Sequence, residues 1–157
     1  MHHLNLDIFQ EFHSSWALLT AGTPDHFNTM TVSWGGLGTL WGKSVATVYV
    51  RPNRHTFGFM EESEYFTVSF YPDEYKKDLA LLGKLSGRDT DKVAQTGLSP
   101  VAAGDCVTFS QARRTFLCRK LYAQDLDGSM IPTDVMDRFY GSEPVHRMYI
   151  GEVIDIL

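Results

Sequence analysis

Asn28-Thr-Met-Thr-Val-Ser-Trp34 is the stretch on which the fold turns. Its residues alternate, with Met30, Val32 and Trp34 on one face and Thr29, Thr31 and Ser33 on the other. A period of two marks a half-buried β-strand, here with one face lined by hydroxyls. Working outward, Ser44 to Val50 is a second strand, rich in β-branched residues, and it runs into Arg51-Pro-Asn-Arg-His-Thr56. Pro52 interrupts the strand, and Arg54 to Glu62 has helical character. Two arginines, a histidine and a threonine therefore fall where an extended segment gives way to a helix. The two segments read as walls of one pocket, one for a flat polar ring and one for a phosphate.

The remaining chain supplies more strands than helices. Leu4 to Phe12 suits a short helix or an extended lead-in, Ser15 to Ala21 a strand, and Gly22 to Asp25 a turn. Gly35, Gly36 and Gly38 predict a backbone that is flexible or closely approached by a neighbour. Tyr65 to Tyr71 is a strand, and Pro72-Asp73 starts a helix over Glu74 to Leu82. A loop from Leu85 to Asp89 precedes one or two helical turns over Thr90 to Gln95, stopped by Gly97. Val107 to Gln111 and Thr115 to Asp125 read as strands, with a turn at Asp127-Gly128. Pro132 to Tyr140 is a short helix ended by Gly141, and Val145 to Leu157 a last strand, bulged at Gly151. Most connections are too short for βαβ crossovers, so the expected fold is α+β and mainly β: an antiparallel barrel with peripheral short helices. With no repeat or linker, residues 1–157 are expected to form a single domain.

Composition narrows the function. A net charge of −5 excludes a nucleic-acid surface, which needs clustered excess Lys and Arg, while leaving room for one small phosphate site. Aromatics at 13% suit a β-rich core and a planar ligand. No run reaches the roughly 18 apolar residues of a membrane span, and the start Met-His-His-Leu-Asn has no apolar signal core. A cytoplasmic protein without membrane contact is expected. Cys106 and Cys118 have no metal-type spacing and read as small buried hydrophobes, a disulfide between them being the other reading. His2 and His3 are given no metal role, and no metal site is expected.

Cations at a helix N-terminus oppose the helix dipole, which favours anions there. Arg54, His55 and Thr56, in a first turn capped by Asn53, with Arg51 just outside, break that rule unless an anion sits among them. The competing reading pairs both arginines with Glu61, Glu62 or Glu64. Ser86-Gly-Arg88, followed by Lys92, offers further hydroxyl, backbone and cationic donors, or is only a turn. For the ring, backbone groups of residues 29–34 and the Thr/Ser hydroxyls can meet a polar heterocyclic edge, with Trp34 and Trp41 over an aromatic face. Alternatively the hydroxyls face solvent and the tryptophans fill the core. His146 gains meaning only in combination with these segments. Zinc-protease, Walker and nucleophile-elbow motifs are absent, and Gly35-Gly36-x-Gly38 lacks dinucleotide spacing.

In order and spacing, Asn28–Trp34, Arg51–Thr56, Ser86–Lys92 and His146-Arg-Met-Tyr-Ile-Gly-Glu-Val153 resemble the flavin reductase-like family of FMN-binding split barrels, which includes flavoredoxin-type proteins. The resemblance spans Trp16 to Val153. It implies a Greek-key split barrel that forms a homodimer, with FMN near the subunit interface. It implies ring contacts from Thr29, Met30, Thr31, Val32, Ser33 and Trp34, and phosphate contacts from Arg51, Arg54, His55 and Thr56 with Ser86 or Lys92. His146 matches a histidine near the nicotinamide region, implying a role in orienting NADH or NADPH. The implied function is an FMN oxidoreductase that passes electrons to a small acceptor or free flavin. Alternatives are a flavoredoxin-like carrier between protein partners and a non-catalytic binding module. One departure from the family bears on the pocket: Trp41 stands in a segment where many relatives carry a proline, a place from which it would narrow the site. The Phe139-Tyr140-Gly141 loop is expected to cover the site.

Overall fold

The structure is a computed structural model describing residues 4–157, so His2 and His3 lie outside the described residues. Nine strands carry the fold: β1 (Ala17–Thr23), β2 (His26–Val32), β3 (Gly35–Leu40), β4 (Lys43–Val50), β5 (Tyr65–Phe70), β6 (Pro100–Ala103), β7 (Cys106–Phe109), β8 (Arg114–Asp125) and β9 (Arg147–Ile156). Seven of them form one sheet in the order β2-β1-β5-β8-β9-β4-β3, and β6 and β7 form a separate hairpin. Every pairing is antiparallel. The fold is a split barrel: β2 and β3, joined only by Ser33 and Trp34, lie at opposite edges of the sheet.

The sheet wraps one core. Met30 and Val32 from one edge join Ala46 and Val48, Phe66, Val68 and Phe70, Phe116 and Tyr149 in a single buried cluster. Each fully buried side chain of this size contributes about 1.5–3 kcal/mol. β1 is buried on both faces, because Leu18 packs outward against Leu79, Leu82 and Phe109. Leu79 and Leu82 lie on a helix whose placement matters below. The helices are α1 (Ile8–Gln10), α2 (His55–Glu62), α3 (Lys76–Lys84) and α4 (Thr133–Phe139). Among the described residues no helix is long and apolar enough to cross a membrane. Cys106 and Cys118 are both buried and free, and burial pushes their thiols up, Cys106 to about 11.

Three expectations change. The glycines at 35, 36 and 38 lie in a strand rather than a flexible turn. β3 pairs with β4 from Gly35↔Val48 to Leu40↔Lys43, so a neighbour's ladder overrides weak propensity. A Cβ on Gly35 would meet the Phe12 ring at 2.6 Å, which is the close approach foreseen there; Gly36 and Gly38 have open space. Gly151 is not bulged. It pairs regularly with Ala46 and Lys120, and the register shifts fall on Ile154 and Leu121 instead. Gly151 is small because a Cβ would lie 2.6 Å from Phe66. The turn expected at Asp127-Gly128 is present. It is a short 3-10 turn, Gly128–Met130, with Asp127 Oδ1 accepting from the Ser129 amide at 2.9 Å. Finally, α2 begins one residue later than expected: Arg54, in extended conformation, is the N-cap, and Asn53 stands outside.

Candidate functional site

Five segments converge beside the open edge at β2: β2 itself with the Ser33-Trp34 link, the start of α2, the end of α3 with the loop to Lys92, the end of α4, and His146. Two adjoining cavities result. One, of about 210 Å³, is lined by Met30, Thr31, Val32, Ser33, Trp34, Tyr49, Arg51, Arg54 and His146. The other, of about 160 Å³, is lined among others by Asn28, Asn53, Arg54, His55, Thr56, Ser86, Gly87 and Lys92. Arg54 borders both.

The smaller cavity is built from cations without counter-charges. Among the described residues neither Arg51, Arg54, Arg88 nor Lys92 pairs with a carboxylate. Glu61, the nearest expected partner, is held instead by Arg147 and the Tyr149 hydroxyl. Arg54 reaches only the Gly83 carbonyl at 3.4 Å, and burial with Arg51 nearby lowers its pKa. Lys92 is 3% exposed. Its Nζ donates to the Leu82 and Leu85 carbonyls at 2.9 and 3.1 Å, the C-terminal end of α3. A helix C-terminus favours a cation, and its carbonyls orient the ammonium without neutralising it. Burial, with Arg54 adding repulsion, pushes Lys92 down to about 8. His55 is also held below its usual range, first by burial and then by Arg88 and Lys92.

Hydroxyls and amides complete this pocket. Thr56 is buried and accepts from Asn28 Nδ2 at 2.8 Å, leaving its own proton to donate. Ser86 Oγ accepts from the Arg88 amide, and Arg88 ties the loop to the Asn53 carbonyl at 3.1 Å. Gly87 is required by proximity: a Cβ there would lie 2.2 Å from Asn28 Oδ1. Only a glycine lets the loop close on β2.

The larger cavity is a cleft with one polar edge. The backbone and side chains of residues 30–34 form that edge. Thr31 donates to the Leu79 carbonyl, and Ser33 is half-buried. Thr29 lines neither cavity. It is fully buried, bonded to Thr20 Oγ1 at 2.9 Å and to the Leu19 carbonyl at 3.2 Å, because the hydroxyl face of β2 lies against β1 at that position. Across the cleft, Arg51 donates to the Phe139 carbonyl at 2.7 Å and lies 5.2 Å over the Tyr140 ring. Tyr140 OH meets His146 Nδ1 at 2.7 Å, and Trp34 packs against both Phe139 and His146, centroids 5.2 and 5.1 Å apart. Burial, with Arg51 nearby, pushes His146 down to about 4, so it is neutral at pH 7. The Phe139-Tyr140 segment thus borders the cleft as the sequence suggested. Trp41 does not narrow it: 65% exposed, it sits at the tip of the β3–β4 hairpin beside Tyr122.

Tyr49 was not singled out by sequence reasoning, and Asn28 and Gly87 stood inside its motifs without a role of their own. Tyr49 carries a signal, alternating with the buried Val48 and Val50 on β4; the others are set by tertiary contact alone. Among the described residues no His/Cys/Asp/Glu group suited to a metal ion occurs.

Residues 9–157 match the family described as flavin reductase like domain. No curated protein matches the chain. Among solved structures, it is similar to a flavoredoxin from Methanosarcina acetivorans (TM-score 0.73, 18% identity, covering 100% of this chain and 74% of that one). It is similar to an FMN-binding protein from Thermus thermophilus solved with 1-cyclohex-2-enone (0.71, 19%, 100% and 78%). Component B of nitrilotriacetate monooxygenase from Bacillus cereus is a third (0.70, 16%, 90% and 67%). At these identities the structures establish a shared fold.

Proposed function

We propose, for a chain that belongs to the flavin reductase like domain family, that it is an FMN-dependent reductase taking electrons from NADH or NADPH and passing them to a small acceptor or to free flavin. One observation carries this reading. Arg54 and Lys92 stand unneutralised in a pocket that opens onto a cleft edged by strand backbone and hydroxyls. A phosphomonoester would relieve the mutual repulsion of the cations, and the adjoining cleft suits a flat ring with a polar edge. Arg54, Thr56, Ser86 and Lys92 would hold the phosphate, with His55 and Arg51 flanking. Backbone groups of Met30 to Trp34, with Thr31 and Ser33, would meet the ring.

Bound FMN supplies a ring that accepts hydride and passes on electrons singly or in pairs. The chain's own residues bind, orient and shield. His146, neutral and fixed by Tyr140 and Trp34, offers a nicotinamide an uncharged hydrogen-bonding edge beside the cleft. Trp34 and the α4 end limit water on that side. No acid–base pair is required, since hydride transfer depends on alignment and exclusion of water.

A homodimer belongs to the same proposal. Thr47, Tyr49, Met148 and Ile150 form a partly exposed face across β4 and β9, and Tyr49 also borders the cleft. A second copy covering that face would adjoin the site, and light scattering of the purified protein reads its mass. The free buried thiols suit the proposed cytoplasmic setting.

The test is anaerobic stopped-flow mixing of FMN-loaded protein with NADH or NADPH. Bleaching of the flavin band near about 450 nm supports a reductase. Tight FMN retention without bleaching would instead make the protein an electron carrier.

A further inference from the structure

One nitrogen at the edge of the cleft meets nothing in the chain. His146 is 8% exposed, and its Nδ1 is taken by the Tyr140 hydroxyl at 2.7 Å. Among the described residues no buried side-chain nitrogen or oxygen lacks a partner. Nε2 has none, so it lies open, and the cleft is the space that His146 lines.

The far side of the ring decides whether Nε2 carries a proton. A neutral imidazole has one N–H donor and one bare nitrogen, and the bond made at one nitrogen sets the state of the other. Were Nδ1–H the donor, the phenolic proton would need a second acceptor. Tyr140 is 7% exposed, and its hydroxyl meets no other group among the described residues. The phenol therefore donates to a bare Nδ1, and the imidazole proton sits on Nε2. Burial and Arg51, whose guanidinium lies 5.2 Å over the Tyr140 ring, disfavour a doubly protonated imidazole. The Trp34 and Tyr140 rings, with centroids 5.1 and 5.4 Å away, hold the imidazole plane in place.

We propose that Tyr140 is a positioning residue: its hydroxyl fixes His146 as the Nε2–H tautomer, so that the cleft presents an uncharged donor and selects a flat ring bearing a carbonyl oxygen. An amine in the same place would set donor against donor. A protonated amine would also meet the charge of Arg51, which lines the cleft. The selection rests on the reductase reading of the cleft; the tautomer does not.

Nitrogen NMR of isotope-labelled, ligand-free protein reads the tautomer, with the His146 signals identified by their loss in His146→Gln. The proton is expected on Nε2 in the wild type. Tyr140→Phe keeps the aromatic ring but loses the hydroxyl, and a mixture of tautomers is expected there. A proton on Nδ1 in the wild type overturns the proposal without any variant, as does a Tyr140→Phe spectrum with the wild-type tautomer alone. In FMN-loaded protein, benzamide should shift the Nε2 signal and bind about tenfold more tightly than benzylamine. Tyr140→Phe should weaken benzamide about fivefold and FMN less than about twofold. Equal binding of the two probes overturns the selection. Failure of FMN to bind would remove the reductase reading, while the ligand-free spectra still decide the role of Tyr140.

Discussion

Two clusters of cations in this molecule are treated in opposite ways. On the β8–β9 side, Arg147 is shared between Asp125 and Glu61, and Arg119 and Lys43 both reach Glu152. Each of these three cations has a counter-charge, and the hydrogen bonds hold Arg147 well above its usual range. Beside β2, Arg51, Arg54 and Lys92 meet only carbonyl oxygens, and both Arg54 and Lys92 are lowered. The chain carries 19 acidic residues against 14 basic ones, so a shortage of carboxylates is not the reason. Paired charges hold elements together. Unpaired ones that line a cavity cost stability, a cost that the anion of the proposed function would offset.

The largest expected effect breaks the unpaired cluster. Arg54→Ala with Lys92→Met should weaken FMN about 100-fold, two charge-assisted contacts' worth, and riboflavin less than about threefold. Fluorescence titration reads both, and equal losses would move the phosphate elsewhere. Two glycines sharpen the contrast next. Gly151→Ala forces a Cβ against Phe66 in the core and should lower unfolding stability by about 2 kcal/mol in urea melts, with FMN affinity kept by the folded fraction. Gly87→Ala pushes the phosphate loop off Asn28 and should cost about tenfold in FMN affinity with a smaller change in the urea midpoint.

Proton linkage gives a subtler test. Lys92, lowered from 10.5 to about 8, binds its proton more weakly folded than unfolded. Stability of the ligand-free protein should therefore rise as pH climbs from about 8 to 10.5, a rise that Lys92→Met removes. His146, lowered from 6.5 to about 4, acts likewise in its own window: stability should fall as pH drops from 6.5 towards 4, and His146→Gln should flatten that part of the curve. Thermal melts across pH read both. The smallest effect belongs to the paired side. Arg147→Ala should slightly lower the melting temperature, since exposed pairs contribute little, and leave FMN affinity unchanged.

The sequence announced strands wherever alternation or β-branching was strong, which covers β1, β2, β4, β5, β7, β8 and β9. It was silent on β6 and read the β3 glycines only as flexible or closely approached backbone, because Gly35-Gly36-Leu37-Gly38 has no period and becomes a strand only through β4. Alternation placed Thr29, Thr31 and Ser33 on one face, but only the neighbours decide what each hydroxyl meets: β1 for Thr29, α3 for Thr31, the cleft for Ser33. The phosphate wall was legible because arginines at a helix start contradict a local electrostatic rule. How deep Lys92 sits, the Asn28–Thr56 bond and the Gly87 contact were not, since each joins segments whose approach no local pattern encodes. Gly151 shows the same limit: glycine was read as a bulge, where an aromatic from β5 in fact demands the space.

The central claim is that the unneutralised cations beside β2 hold the phosphate of FMN. A crystal structure grown with FMN tests it most directly. The account expects the phosphate between the Arg54 guanidinium and Lys92 Nζ, within hydrogen-bond reach of Thr56 or Ser86. A phosphate in bulk solvent, with Arg54 and Lys92 still bound only to the carbonyls of Gly83, Leu82 and Leu85, would contradict it.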